Sequence, residues 1–235
     1  GGYASRTITH HRMAVKIPAG WDFVQAAATP EVYLTAYDAL FNRGNLQMGE
    51  NVLIHAAGSG VGTAAVQLAH QAGAFVFGTA GSAEKLAGAT DLGMNVGINY
   101  REQDFAEVIK EVTSGAGVDV LIDFIGAPYW DKNIASLAVL GRLVEVGLMG
   151  GTKMEVDLRP LMAKRLQVCG TGLRGRTLGE KLEVTSQFRR HVLPHLASGS
   201  MKPIVDRTFP LEEVAEAHKY METNANFGKI VLTID

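Results

Sequence analysis

The chain has 235 residues, 47% hydrophobic and 20% charged, with 27 glycines, enough to bury a substantial core without disulfides or metal. Its 22 basic and 24 acidic side chains leave a net charge of −2, which gives no general attraction to nucleic acid or an anionic membrane, so neither is an expected partner. The lone Cys169 excludes an internal disulfide and a multi-cysteine zinc site and reads as a buried small hydrophobe in a reducing compartment. No apolar run approaches the ~20 residues of a membrane span, and the first residues lack the charged-then-apolar pattern of a signal peptide, so a cytoplasmic location is expected.

Along the chain, Tyr3 to Ile17 has alternating extended character, and Thr29 to Arg43 reads as a helix with Pro30 near its first turn. From Asn51 onward short apolar runs alternate with helical periodicity, the signature of repeated βα units and a parallel sheet. The strands predicted are Asn51 to His55, Ala74 to Thr79, Val96 to Asn99, Asp119 to Phe124, Arg142 to Val146 and Leu166 to Gly170. Between them Thr63 to Ala72, Ala83 to Leu92, Asp104 to Thr113, Trp130 to Leu140 and Arg159 to Lys164 read as helices. Gly73, Gly93, Gly115 and Gly141 follow four of these, where a left-handed residue ends a helix at least cost. Glu180 to Ala197 and Leu211 to Glu222 read as helices, and Lys229 to Ile234 as a closing strand. The two flanks are expected to build a second, smaller unit from both termini.

The first strand runs into Ala57-Gly58-Ser59-Gly60-Val61-Gly62 and then a helix. Small side chains let the backbone approach a pyrophosphate, and the N–H groups and dipole at the helix start stabilise that anion. The position of the turn directly after the first strand of a βα series is the context that gives such a motif its meaning. Against the usual G-x-G-x-x-G, Ala57 and Ser59 replace the first two glycines and Gly62 is retained.

At the end of the second strand a dinucleotide fold that takes NAD places an acid on the ribose 2′-hydroxyl. Here the chain reads Thr79-Ala80-Gly81-Ser82-Ala83-Glu84-Lys85, with no acid at the strand end. Gly81 and Ser82 offer donors at a helix start, and Lys85 can set an ammonium against a 2′-phosphate, so NADPH is the expected cofactor. Lys85 by itself reads rather as a solvated helix-face lysine, a reading that its combination with Gly81 and Ser82 reverses, and Glu84 argues mildly against the phosphate from inside the helix start.

These stretches, with Val52 to Leu68 (VLIHAAGSGVGTAAVQL), Thr79 to Leu86 (TAGSAEKL), Gly115 to Gly126 (GAGVDVLIDFIG), Gly147 to Gly151 (GLMGG) and Glu216 to Leu232 (EAHKYMETNANFGKIVL), resemble the zinc-independent quinone oxidoreductases of the medium-chain dehydrogenase/reductase superfamily. The branch they resemble most is that of the tumour-suppressor-inducible, zeta-crystallin-like quinone oxidoreductases. The resemblance implies an α/β fold, a Rossmann-type doubly wound parallel sheet with part of a smaller GroES-like catalytic domain. It divides the chain into residues 1–32, the end of that domain, 33–172, the NADPH-binding domain, and 173–235, a helix and return segment. It also implies that most of the catalytic domain precedes the first residue.

By the same resemblance Gly81, Ser82, Lys85 and Tyr100 form the adenosine 2′-phosphate pocket and Ser59, Gly60 and Val61 cover the pyrophosphate. Gly126, Leu148 and Met149 lie beside the nicotinamide at the carboxyl edge of the sheet, with Thr35 and Asn226 as further cofactor contacts. Tyr100 on its own reads as a strand-end aromatic, and Thr35 and Asn226 as helix or turn residues. The implied reaction is hydride or electron transfer from NADPH to a quinone or other small electrophilic acceptor. Reduction of an activated alkene such as an enone, or a non-catalytic crystallin-like role, are the alternatives.

No catalytic acid or base stands out, and none is demanded, since the cofactor supplies the reducing chemistry and a product oxygen can take its proton from water. His10 and His11 are adjacent and cannot present a helical metal pair; His191 and His195 have that spacing but Pro194 intervenes. His218 reads as a helix-face residue and His55 as a strand-end one. The segment 166–173 matches the edge strand through which the family pairs across a two-fold axis, so a homodimer or higher homo-oligomer is expected.

Overall fold

The computed structural model describes residues 2–234. Six strands form one parallel sheet: β1 (Asn51–Ile54), β2 (Phe75–Ala80), β3 (Val96–Asn99), β4 (Val118–Asp123), β5 (Leu137–Glu145) and β6 (Gln167–Gly170), in the order β3-β2-β1-β4-β5-β6. The order reverses between β1 and β4, and in doubly wound sheets ligands bind beyond the carboxyl ends of the strands at such a point. Helices cover both faces, which is why the central strands are near-continuous apolar runs and not alternating ones.

One face is packed by α2 (Pro30–Tyr37), α3 (Gly60–Gln71) and α8 (Leu178–His191), with Tyr33, Leu40, Val66, Ile54 and Phe188 in a single buried cluster. The other is packed by α5 (Phe105–Val112), α6 (Trp130–Ser136) and α7 (Arg159–Lys164) around Phe77, Ile109, Leu121, Trp130 and Leu143. α5 shows how the sequence produces such a helix. Asp104 caps its N-terminus by accepting from Ala106 N–H at 3.0 Å, and Phe105 and Ile109, four apart, bury one stripe.

Beyond α2 the chain continues as one π-helical turn, Asp38–Arg43, that buries Asp38. Arg176 donates to both Asp38 oxygens, at 2.9 and 2.6 Å, and Thr171 Oγ1 to one of them. These contacts hold Asp38 below the usual carboxylate range against the opposing effect of burial.

Several expectations needed correction. The helix begun at Trp130 stops at Ser136 instead of Leu140, and its last apolar residues join β5. Gly141 does not end a helix in a left-handed conformation. Leu140 takes the positive φ, 67°, and Gly141 is required because a side chain there would meet Ala138 O and Leu137 at about 3 Å. Gly73, Gly93 and Gly115 do have positive φ. The helix expected over Glu180 to Ala197 breaks at Val192 into α8 and α9 (Leu193–Ser198), since Pro194 has no N–H to continue the ladder.

A short helix, α1 (Phe23–Ala27), and a strand, β7 (Val205–Pro210), were not expected; α1 rests on an Asp22/Gln25 capping box. β7 pairs in parallel with β8 (Lys229–Thr233), and the intervening helix is α10 (Val214–Glu222). The N-terminal segment reaches α10 here: Tyr3 Oη lies 2.9 Å from His218 Nε2. Cys169 is half-buried, not buried, because β6 forms the sheet edge.

Candidate functional site

The turn after β1 is built by close packing. Ala56 adopts φ 49°, and Ser59 caps α3 by accepting from Gly62 N–H at 3.0 Å. A Cβ at Gly62 would collide with Ala56 O and stand 2.9 Å from the Ala57 backbone, so glycine alone lets α3 start this close to the strand. At Gly58 and Gly60 the space above the backbone is filled by the flexible stems of Lys85 and Lys229. Gly228 N–H donates to Gly58 O at 2.9 Å, and Asn226 Nδ2 donates to Gly228 O at 3.1 Å. Asn226 thus fixes the strand lying over the turn.

At the end of β2, Gly81, Ser82, Lys85 and Tyr100 come together. A Cβ at Gly81 would stand 2.7 Å from Tyr100 Oη and 3.2 Å from Arg101 Nε. Ser82 caps α4 (Ala83–Asp91). Lys85 Nζ donates to Asn224 O at 2.7 Å and to its Oδ1 at 3.2 Å. Burial lowers the Lys85 pKa and nearby Arg101 adds to the effect, while Asp206 opposes it.

Arg101 is the residue sequence reading missed. It follows Tyr100 directly at the end of β3 and forms no salt bridge among the described residues. The signal was a second cation beside a glycine-serine helix start on the neighbouring strand. Glu84 is fully exposed, and its carboxylate is held low by its own N–H and the Ser82 hydroxyl, so the helix start already attracts an anion.

At the carboxyl ends of β4 and β5, Gly126 (φ 83°) packs on Leu148 and forms a bridge with Gly151. Met149 N–H donates to Phe124 O at 3.1 Å, and its side chain is 74% exposed. Beside this turn, beyond the ends of β4 to β6, opens a cleft of about 570 Å³. Leu34 and Thr35 of α2, Val61 of α3, and Phe124, Val146 and Thr171 after the strands line it. Phe124 and Val146 were not singled out from sequence; an apolar residue just past a strand end resembles the strand itself.

Behind the cleft runs a buried polar chain. Asn133 Nδ2 donates to Asp123 at 2.9 Å, which leaves Asn133 Oδ1 to accept from His55 Nε2 at 2.8 Å, and Thr79 lies 2.9 Å from His55 Nδ1. His55 is therefore a core residue, and burial lowers its pKa despite Asp123. His191 is exposed and stacks on Tyr37, and His10 packs on His11. Among the described residues no three His, Cys, Asp or Glu side chains converge as a metal site. Among the described residues no helix is long and apolar enough to cross a membrane.

A six-stranded parallel sheet with a glycine turn and helix start at its switch point, and a cleft at its carboxyl edge, defines the dinucleotide-fold oxidoreductases. The family profile described as zinc-binding dehydrogenase matches residues 60–189. Human quinone oxidoreductase is 32% identical over 235 residues, 100% of this chain and 70% of its own length.

Among solved structures, an NAD-dependent alcohol dehydrogenase superposes with a TM-score of 0.90 at 31% identity, over 100% of this chain and 66% of its own. Escherichia coli quinone oxidoreductase complexed with NADPH gives 0.83 at 33% identity, over 93% and 67%. The CurK enoyl reductase gives 0.79 at 33% identity, over 94% and 65%. The chain belongs to the quinone oxidoreductases of the medium-chain dehydrogenase/reductase superfamily. The described residues hold no donor set for the zinc in the profile's name.

Proposed function

We propose that this chain binds NADPH and reduces a quinone, without zinc. The observation that carries the reading is the convergence of Ser82, Lys85, Tyr100 and Arg101 on Gly81 at the end of β2, with no acid at the strand end. Two cations, a hydroxyl and a helix start recognise a dianionic 2′-phosphate and have no use for a bare 2′-hydroxyl. Ser59, Gly60 and Val61 cover the pyrophosphate, Asn226 holds the strand over it, and Thr35, Gly126, Leu148 and Met149 flank the nicotinamide.

NADPH, when bound, supplies the hydride. The chain's own part is to orient the two rings and exclude water, for which the cleft walls Leu34, Val61, Phe124 and Val146 are suited. Thr171 Oγ1 is engaged with Asp38 and Arg176, Glu31 pairs with Lys229 and Lys181 donates to Arg174 O, so among the described residues no uncommitted acid or base lines this cleft beyond the exposed Arg174. Proton delivery to the product from water fits these surroundings.

The test is cofactor titration by fluorescence with Lys85→Ala and Arg101→Ala. NADPH is expected to bind at least tenfold more tightly than NADH, and each variant to lose that preference. Equal binding of the two cofactors by the parent chain overturns the assignment. The likeness to an enoyl reductase favours a second reading, reduction of an enone; faster NADPH oxidation with enones than with any quinone in an acceptor panel would establish it.

The segment ahead of α2 and the β7–α10–β8 unit are proposed to belong with a catalytic domain, whereas α8 and α9, whose Phe188 and Leu196 pack in the core of the sheet, go with the NADPH-binding unit. A homodimer through the edge strand β6 and a cytoplasmic location complete the reading. Light scattering showing monomer alone removes the dimer.

A further inference from the structure

Two acids stand side by side at the carboxyl edge of the sheet. Asp123 and Glu145 are register partners on β4 and β5, so their side chains leave the same face. Asp123 is fully buried. Its Oδ1 accepts from Ile125 N–H at 2.7 Å, and its Oδ2 from Gly126 N–H at 3.1 Å and Asn133 Nδ2 at 2.9 Å. A carboxylate has about four acceptor positions, so one remains, on Oδ1. Every partner of Asp123 is a donor, which makes Asp123 the ionised member of the pair. Glu145 Oε2 is buried and no N–H or O–H donor reaches it. Two carboxylates in contact cannot both hold their charge.

We propose that Glu145 is protonated and donates to Asp123, and that this acid pair is the positioning element fixing the Ile125–Gly126 turn against the nicotinamide. The first half stands on the protein alone; the second rests on the NADPH reading. Burial, then the charge of Asp123 and its hydrogen bond, push the Glu145 carboxyl up to about 7. Among the described residues no other side chain hydrogen-bonds the N–H groups of this turn. Ile125 O in turn accepts from Gly150 N–H at 2.8 Å, and Ala127 N–H donates to Gly151 O at 3.1 Å, so a shift at Asp123 moves the Leu148–Gly151 loop as well.

The groups facing the pair do not supply a competing cation. From β1 comes neutral His55, through Asn133. On α6, Lys132 is paired with Asp104, and Asp131 is exposed. On α7, Arg159 is paired with Asp157, and Lys164 donates to the carbonyls of Ile134, Ala135 and Leu137. Tyr129 lies on the His55 and Phe105 rings, its hydroxyl pushed up by burial first and by Asp123 last. After β6, Thr171 is committed to Asp38.

Infrared difference spectra of the ligand-free chain in heavy water, from pH 5.5 to 9, test the shared proton. The C=O stretch of a protonated carboxylic acid is expected to persist at pH 6, to disappear across the neutral range, and to be missing at all these pH values in Glu145→Gln. A wild-type spectrum with no such band, or one that Glu145→Gln leaves in place, overturns the proposal. NADPH titration over the same range tests the positioning. Wild-type affinity is expected to fall roughly tenfold more than that of Glu145→Gln between pH 6 and 9, the change that one pKa unit between free and bound states produces. Lys85 and the 2′-phosphate titrate alike in both proteins, so only this difference counts. Parallel profiles with the band present overturn the positioning role and leave the shared proton. Failure of NADPH to bind at any pH overturns the cofactor reading and with it that role, while the band still judges the acid pair.

Discussion

The two ends of the carboxyl edge are built by different physics. At the end of β2, the groups around Gly81 are exposed or half-exposed cations, a hydroxyl and a helix start, so charge is displayed at the surface. At the ends of β4 and β5, apolar walls surround the cleft and the polar groups lie behind them, locked in the Thr79–His55–Asn133–Asp123 chain. The first arrangement costs little to build because water shares the charges. The second is stabilising only while every member keeps its partner. Changes at the first end should therefore alter which ligand binds, and changes at the second should alter the fold and its pH dependence.

The glycine turn between the two ends gives the largest expected effect, because it serves both. Gly62→Ala drives a Cβ into Ala56 O and should cost about 2–4 kcal/mol in urea unfolding and remove binding of both NADPH and NADH. Selective loss of one cofactor would break the view that the turn is common to both.

Next comes the exposed end. The double variant Lys85→Ala/Arg101→Ala should weaken NADPH about 100-fold, two charge-assisted contacts at about 1.4 kcal/mol each, with NADH affinity and Tm unchanged. A matching fall in NADH binding would place these cations on the pyrophosphate instead.

Glu145→Gln examines the buried end by stability. The Glu145 carboxyl is raised from an ordinary value near 4.5 to about 7, so the folded state is favoured most below 4.5 and loses ground as pH rises through 7. Discounted to about 1 kcal/mol for partial exposure, the Gln variant should melt roughly 2–4 °C higher than the parent at pH 8, with the gap closing toward pH 4.5. Its NADPH-to-NADH preference should not change.

The smallest effect is at Glu84, which presents its carboxylate to the helix start that the phosphate needs. Glu84→Gln should tighten NADPH by about threefold in the same titration and leave NADH alone.

Much of the sheet was legible because each strand is a short apolar run closed by a helix period, a pattern that local residues carry. The limits of elements were less so. Leu137 to Leu140 is apolar enough to end a helix or begin a strand, and only pairing with β4 makes it a strand. Val205 to Pro210, a polar run, becomes a strand because β8 lies beside it. The candidate site divides in the same way. Ser59, Gly81, Ser82 and Lys85 stand out together by their place after a strand, Tyr100 only through the family resemblance, whereas Arg101, Phe124 and Val146 acquire meaning from what the neighbouring strands bring up.

The loop from Ala57 to Gly62, the order of βα units and the missing acid after β2 are written in the chain itself, since each is a property of a few consecutive residues. The company of Asp123 and Glu145, 22 positions apart, is decided by strand register alone. Burial and proximity set the state of a titrating group, and both are created when distant segments pack.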